Sequence, residues 1–286
     1  MSFKAVAWTL LAAMALTAVL LFNYWAAYQL LSTLAYSGIV LALCGLANLA
    51  IPFRFLGIRK RAVGALLLVG GVGLTIAGLL WPAPMIRVAQ HRTVLDDVMP
   101  DYQFFERHSV RIHARPEQVM QAVRQSTFGD MKSLVTLLKI RGAVLRAPSD
   151  ATGALSQDKR VLDAFLASGY VSGGSDHEIV MCGGANMRAK RPLAVRTLQD
   201  LADYREQGAV KMAYDFNVED AGGGWSTITT ETRVVATDDS TRRGMGLYWR
   251  LIVPGRGLLR RQWLEGIKKG AESTPNPQSQ MPNSVQ

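Results

Sequence analysis

The sequence predicts an α+β protein in two parts: three transmembrane α-helices, then a water-soluble domain built from a curved antiparallel sheet and one long C-terminal helix. Three observations predict it. Residues 1–81 hold no Asp or Glu and five Lys or Arg, whereas all 22 acidic residues follow. The stretch "VKMAYDFNVED" alternates, with Val210, Met212, Tyr214, Phe216 and Val218 on one face, the period of a half-buried strand. Finally Met245, Tyr248, Trp249, Ile252, Leu259, Trp263 and Ile267 recur every three to four residues, one apolar stripe of a long helix.

The break near residue 81 is a boundary between two solvents. A bilayer core of about 30 Å takes roughly 20 apolar residues per helix. Three stretches qualify: 5–22, 30–51 and 62–81. Asn23, Tyr24 and Trp25 separate the first two, Pro52 ends the second, and Trp81-Pro82 ends the third. The first has a single Lys before it and no small-residue cleavage site, so it reads as a span and not as a signal peptide. The loop "PFRFLGIRKR" carries Arg54, Arg59, Lys60 and Arg61, which the positive-inside rule assigns to the cytoplasm. Everything after Trp81 is then expected outside the cytoplasm, on an inner or plasma membrane. "GGVGLTIAG" lacks the Lys of a phosphate loop, so its glycines are expected to serve helix packing, for example through Gly73 and Ala77. No ionisable residue interrupts the spans, which argues against ion-coupled transport and for an anchor.

The expected organisation is an anchor at 1–81, a juxtamembrane linker at 82–103, a domain at 104–272 and a disordered Pro/Ser/Asn/Gln-rich tail at 273–286. Within the domain a strand at 108–114 precedes helices at 116–126 and 130–140, with Pro116 at the first helical position. A short helix "RVLDAFLASG" follows. The turn "SGGSD" then joins strands near 169–171 and "HEIVMCG", and a further strand falls near 193–197. "AGGG" turns the alternating strand into "WSTITTETRVVATD". The sheet is expected to have one apolar face, covered by the terminal helix, which Pro254-Gly255 should kink or break.

The charge of +10 is spread over both parts with acids interleaved, unlike the clustered basic face of a nucleic-acid binder, so no nucleic-acid partner is expected. Cys44 and Cys182 fall in different environments and predict no disulfide. His108 and His113 lie on opposite faces of one strand and cannot share a metal ion, and His177 with Cys182 fails by the same parity. No metal or cofactor is expected. Glu231 and Arg233 share a strand face: either a salt-bridge set on the solvent side or a polar anchor for a ligand head group. The aromatic and Met face with Trp225, Tyr248, Trp249 and Trp263 is either plain core or a ligand wall. Arg256, Arg260, Arg261, Lys268 and Lys269 are either a solvated face or a contact for anionic lipid head groups.

This order of elements, with the phrases "FFERHSVRIHARPEQVMQAV" and "TETRVVATDDSTRRGMGLYWRLIVPGRGLLRRQWLEGIKK", resembles the START-like superfamily (SRPBCC, polyketide cyclase/dehydrase-like) over residues 104–270. The resemblance implies a helix-grip fold, in which the sheet encloses the long helix around a hydrophobic cavity. It implies binding, or binding and transfer, of a lipid, polyketide-like compound or other hydrophobic small molecule beside the bilayer. The ligand-binding residues would be Met212, Tyr214, Phe216, Trp225, Glu231, Arg233, Tyr248, Trp249 and Ile252. Two alternatives stay open: a cyclase- or hydrolase-like enzyme using His177, Glu178 or Arg233 for acid–base work, and a sensing module in which occupancy alters packing of the membrane helices.

Overall fold

The computed structural model describes residues 30–50, 61–145 and 156–273. The expected first span (5–22), most of the basic loop used for orientation and nearly all of the tail lie outside the described residues. In chain order the helices are α1 (Leu30–Ala50), α2 (Arg61–Leu80), α3 (Val94–Val98), α4 (Pro116–Gln125), α5 (Leu134–Leu145), α6 (Val161–Ala167), α7 (Leu198–Asp203) and α8 (Asp239–Ser273). The strands are β1 (Ile86–Arg87), β2 (Asp101–Tyr102), β3 (Phe104–Ile112), β4 (Val171–Gly174), β5 (Glu178–Asn186), β6 (Arg191–Pro192), β7 (Ala209–Gly222) and β8 (Trp225–Ala236). Two compact units result, one holding the apolar helices with residues 242–254, the other holding residues 85–241 and the chain from 255 onward.

In the first unit, α1 and α2 are each long and apolar enough to cross a membrane, two such helices among the described residues. They meet along glycines. A Cβ at Gly71 would come within 2.4 Å of the Ala42 amide nitrogen, at Gly45 within 2.4 Å of that of Leu68, and at Gly78 within 2.5 Å of that of Ala35. The expected pair Gly73 and Ala77 is not the packing face: Gly73 has open space where its Cβ would be, and both residues point outward. The seven-residue spacing of Gly64, Gly71 and Gly78 selects the contact stripe, and Gly73 falls off it. Arg250 of α8 belongs to this unit. Its guanidinium donates to the carbonyls of Leu79 and Trp81, the latter at 2.7 Å, at the end of α2, where unpaired carbonyls favour a cation. Tyr36 Oη closes the contact by donating to the Arg250 carbonyl at 2.7 Å.

The second unit is α+β, as predicted. An open, curved antiparallel sheet runs in the order β3-β8-β7-β5-β4, with β6 beside β5. Face one carries Tyr214, Phe216, Val218, Ile228, Ile112 and Met181, packed under α4 and Trp263, Leu264 and Ile267 of α8. Face two is not the solvent face expected. Val180, Cys182, Ala209 and Ala213 are buried there under Leu95, Val98 and Met99 around α3 and Leu201 of α7. Two layers therefore cover the sheet, and the polar residues interleaved in β7 and β8 face a second interior. Residues 86–102, expected as a linker, supply much of that second layer as β1, β2 and α3. Leu193 and Val195, expected on a strand, are buried in a non-strand segment after β6. Helix α8 keeps helical backbone through Pro254 and Gly255, where a break was expected.

Candidate functional site

One row of residues crosses face one: Glu106 of β3 pairs with Thr232 of β8, Thr232 with Tyr214 of β7, and Tyr214 with Met181 of β5. Because side chains alternate across a strand, all four point toward α8. Arg260 of α8 lies over this row. Its Nη2 donates to Thr232 Oγ1 at 2.6 Å. Its guanidinium carbon sits 5.6 Å from the Tyr214 ring centre, 5.3 Å from that of Trp263 and 5.9 Å from that of Phe216. Cation–π attraction of this kind is worth about 2 kcal/mol when desolvated. Phe216 and Trp263 meet edge to face at 4.7 Å, and Trp263 Nε1 donates to Ser126 Oγ at 2.8 Å, which fixes the indole.

The polar end of the row is closed by an ion pair. Glu106 accepts from Arg256 Nη1 at 2.6 Å, and its other carboxylate oxygen lies 2.7 Å from His108 Nε2. Burial pushes the Glu106 carboxyl up, but Arg256, His108 and Arg260 together hold it below its ordinary value. Burial lowers the Arg260 pKa, and attraction to Glu106, Tyr214 and, more weakly, Asp215 opposes this only in part. Tyr214 is 2% exposed, and its phenol pKa is driven far up by burial. Its hydroxyl and Arg260 Nη1 are buried without a hydrogen-bond partner among the described residues. Orphaned buried donors of this sort cost about 1–3 kcal/mol each.

Beside the row, Phe165 and Tyr170 pack on Tyr214 with ring centres at 5.0 and 6.1 Å, and Tyr170 Oη approaches Met212 Sδ at 3.6 Å. A cavity of about 280 Å³ is lined by Phe128, Met131, Leu134 and Val135, with Gly129, Lys132 and Gln157 completing its wall. Met131 and Leu134 belong to the same apolar cluster as Tyr214 and Trp263.

The sequence-predicted residues thus divide. Met212, Tyr214 and Phe216 come together on face one. Glu231 and Arg233 do not join them, because the odd positions of β8 point to face two. There Arg233 donates to Glu231 at 2.6 Å, to Asp96 at 2.8 Å and to the Met99 carbonyl at 3.1 Å, and it stacks over Tyr102. Burial alone would lower the Arg233 pKa, yet Glu231 and Asp96 raise it above the ordinary value. The two residues do form the expected salt-bridge set, but both are buried, so it lies in a second interior and not on the solvent side. Trp225 lies at the start of β8, stacked on His113 with ring centres at 4.6 Å. Tyr248, Trp249 and Ile252 belong to the unit of the apolar helices, with Trp249 2% exposed there. Arg256 and Arg260, expected on a solvated stripe, are the cations of face one. The proximity of Arg260 to the row was missed because its neighbours Arg256 and Arg261 make it one of a basic run.

A second cavity of about 280 Å³ opens on face two, lined by Met99, Asp101, Tyr204 and Lys211 among others. Its polar groups are already engaged. Lys211 Nζ donates to the carbonyls of Ala202 and Tyr204 at 3.0 and 3.4 Å, the carbonyl end of α7, and burial brings its pKa down to about 8. Tyr204 donates to Glu206, and Asp101 pairs with Arg87. Of the groups an acid–base mechanism would use, Glu178 caps α3 and Arg233 is locked in its ion pairs. Compared with protein-family models, with curated proteins and with solved structures, the chain finds no match.

Proposed function

We propose that this chain is a membrane-anchored binding protein for an amphipathic small molecule, held between face one of the sheet and the C-terminal half of α8, as its START-like resemblance implies. One observation carries the reading: a wall of Tyr214, Phe216, Met181 and Trp263 surrounds two buried polar atoms that have no hydrogen-bond partner among the described residues. Small-molecule sites have this make-up, mostly apolar with a few placed polar groups that orient the ligand. An interior built for stability alone would satisfy those atoms. Helices α1 and α2 anchor the domain in the bilayer, with their outward side chains, such as Leu66 at 72% and Val69 at 71% exposure, against lipid. The basic residues 54–61 keep that connection cytoplasmic and the domain on the opposite side. Anchoring keeps the site beside the phase in which its ligand dissolves.

Native mass spectrometry of the full chain in a neutral detergent, followed by solvent extraction, tests this. One retained apolar molecule per chain is the expected result. A chain that carries none, and retains none after incubation with lipid extract, refutes it.

A further inference from the structure

The charges on face one do not balance. Glu106 is one carboxylate, and both of its oxygens are taken, by His108 and by Arg256. Arg260 is a second guanidinium in the same interior, and it donates to a neutral hydroxyl, that of Thr232. A buried cation without a directly paired anion is among the costliest arrangements in a protein. Burial lowers the pKa of a guanidinium, but arginine is effectively always protonated in proteins, so Arg260 cannot escape by losing its proton. Next to it, the Tyr214 hydroxyl is a buried donor with no acceptor among the described residues. Two donors without a partner among the described residues and one positive charge without a directly paired carboxylate, set in aromatic surroundings, describe the complement of an acid.

Resting on the binding reading above, we propose that the bound molecule carries an acidic head group, a carboxylate or a phosphate, seated on Arg260 Nη1 and the Tyr214 hydroxyl, with its apolar tail toward the cavity at Met131 and Leu134. The cavity wall and the Tyr214 ring share one apolar cluster, so the tail need not leave the interior. Gln262, one turn of contact away, ties α8 to that wall through Ser133, with bonds of 3.0 Å in both directions. The volume of about 280 Å³ lies just under the usual span for small-molecule sites, about 300–1,000 Å³, and suits a single acyl-type tail.

The test uses the full chain in a neutral maltoside detergent and four probes: oleate, dodecyl phosphate, oleyl alcohol and inorganic phosphate. Retention is read by native mass spectrometry, and stabilisation by thermal unfolding. Wild type is expected to retain one oleate or one dodecyl phosphate, and to bind oleyl alcohol at least about tenfold more weakly, the worth of one charge-assisted hydrogen bond. Which of the two acids binds better distinguishes a carboxylate head from a phosphate head. Arg260→Gln is expected to lose that preference for the acids and, without ligand, to melt no lower than wild type, because it removes an unpaired cation. Tyr214→Phe keeps the ring and is expected to weaken the acids while leaving oleyl alcohol unchanged. Equal binding of oleate and oleyl alcohol, unaffected by Arg260→Gln, overturns the acidic head group and leaves the binding reading intact. Retention of no amphiphile by a folded chain overturns both. Stabilisation by inorganic phosphate as large as by dodecyl phosphate overturns the tail, since the site would then serve a small anion.

Discussion

The carboxylate of Glu178, at the start of β5, accepts the backbone amides of Val94 and Leu95 at 2.7 and 2.9 Å, across 84 residues of chain. Those are first-turn amides of α3, which no helical carbonyl can reach. Thr93 and Asp96 satisfy the neighbouring amides in a reciprocal capping box. A five-residue helix has no stability of its own, so this bond fastens it. Glu178→Ala should cost about 1.5–3 kcal/mol, and Glu178→Gln less, because one amide oxygen still accepts. Hydrogen exchange would rise at Leu95 before it rises in β7. Unchanged exchange at Leu95 in the alanine variant would contradict this role.

Asp215 is a second buried carboxylate on the same face. Burial raises its carboxyl pKa from 3.8 to about 7, with Glu178 and Glu231 adding to the rise, while the Glu231 amide at 2.7 Å and Arg233 oppose it. An acid whose folded pKa lies above its unfolded value keeps a proton that the unfolded chain releases. Stability therefore falls as pH climbs from about 4 through 7 and levels off above. Asp215→Asn retains an oxygen for the Glu231 amide and removes that slope. The variant should match wild type at pH 4 and exceed it by up to a few kcal/mol at pH 8. Thermal unfolding of both proteins across that range is the measurement, and parallel curves would refute the assignment.

Arg233 joins Glu231, Asp96 and the Met99 carbonyl, and so clamps α3 to β8. Removing one partner of a buried ion pair costs about 3–5 kcal/mol, because the other charge is left stranded. Arg233→Met should show such a loss, and Asp96→Asn in the same chain should recover part of it. The triad faces away from Tyr214, so the double variant should retain amphiphile like wild type. Loss of retention in a folded double variant would place the binding site on face two instead.

The glycine contact of α1 with α2 separates residues two positions apart. Gly71→Val puts a side chain into the Ala42 backbone and should cost about 1–3 kcal/mol of pairing. Gly73→Val enters open space and should change pairing little. Thermal unfolding in detergent, with crosslinking between cysteines placed on the two helices, reads both. Equal effects of the two substitutions would show that the glycine stripe does not govern the pair.

Strands β7 and β8, the hairpin between them and α8 were legible because each carries its own period: alternation on Val210 to Val218, three glycines with φ of 73°, 63° and 78° at Gly222 to Gly224, and a stripe ending at Ile267. What stayed hidden depends on contacts distant in sequence. Alternation shows that Glu231 and Arg233 share a face, but not that a second layer covers it. Residues 86–102 read as linker because α3 is too short for a period and is held by Glu178. Arg260 looked solvated for a related reason. Its place in a basic run is a local fact, while its position over the Glu106–Thr232–Tyr214 row follows from strand register.

The glycine seam of α1 and α2 also bears on how this apolar helix pair can behave. At Gly38, Gly45, Gly71 and Gly78 one helix backbone sits where the other's first side-chain carbon would be. Gears meshed this closely do not slip. Sliding one helix along its axis, or turning it, drives main chain into main chain before any side chain can adjust. A readout by sliding or rotation within the pair would first have to open this seam.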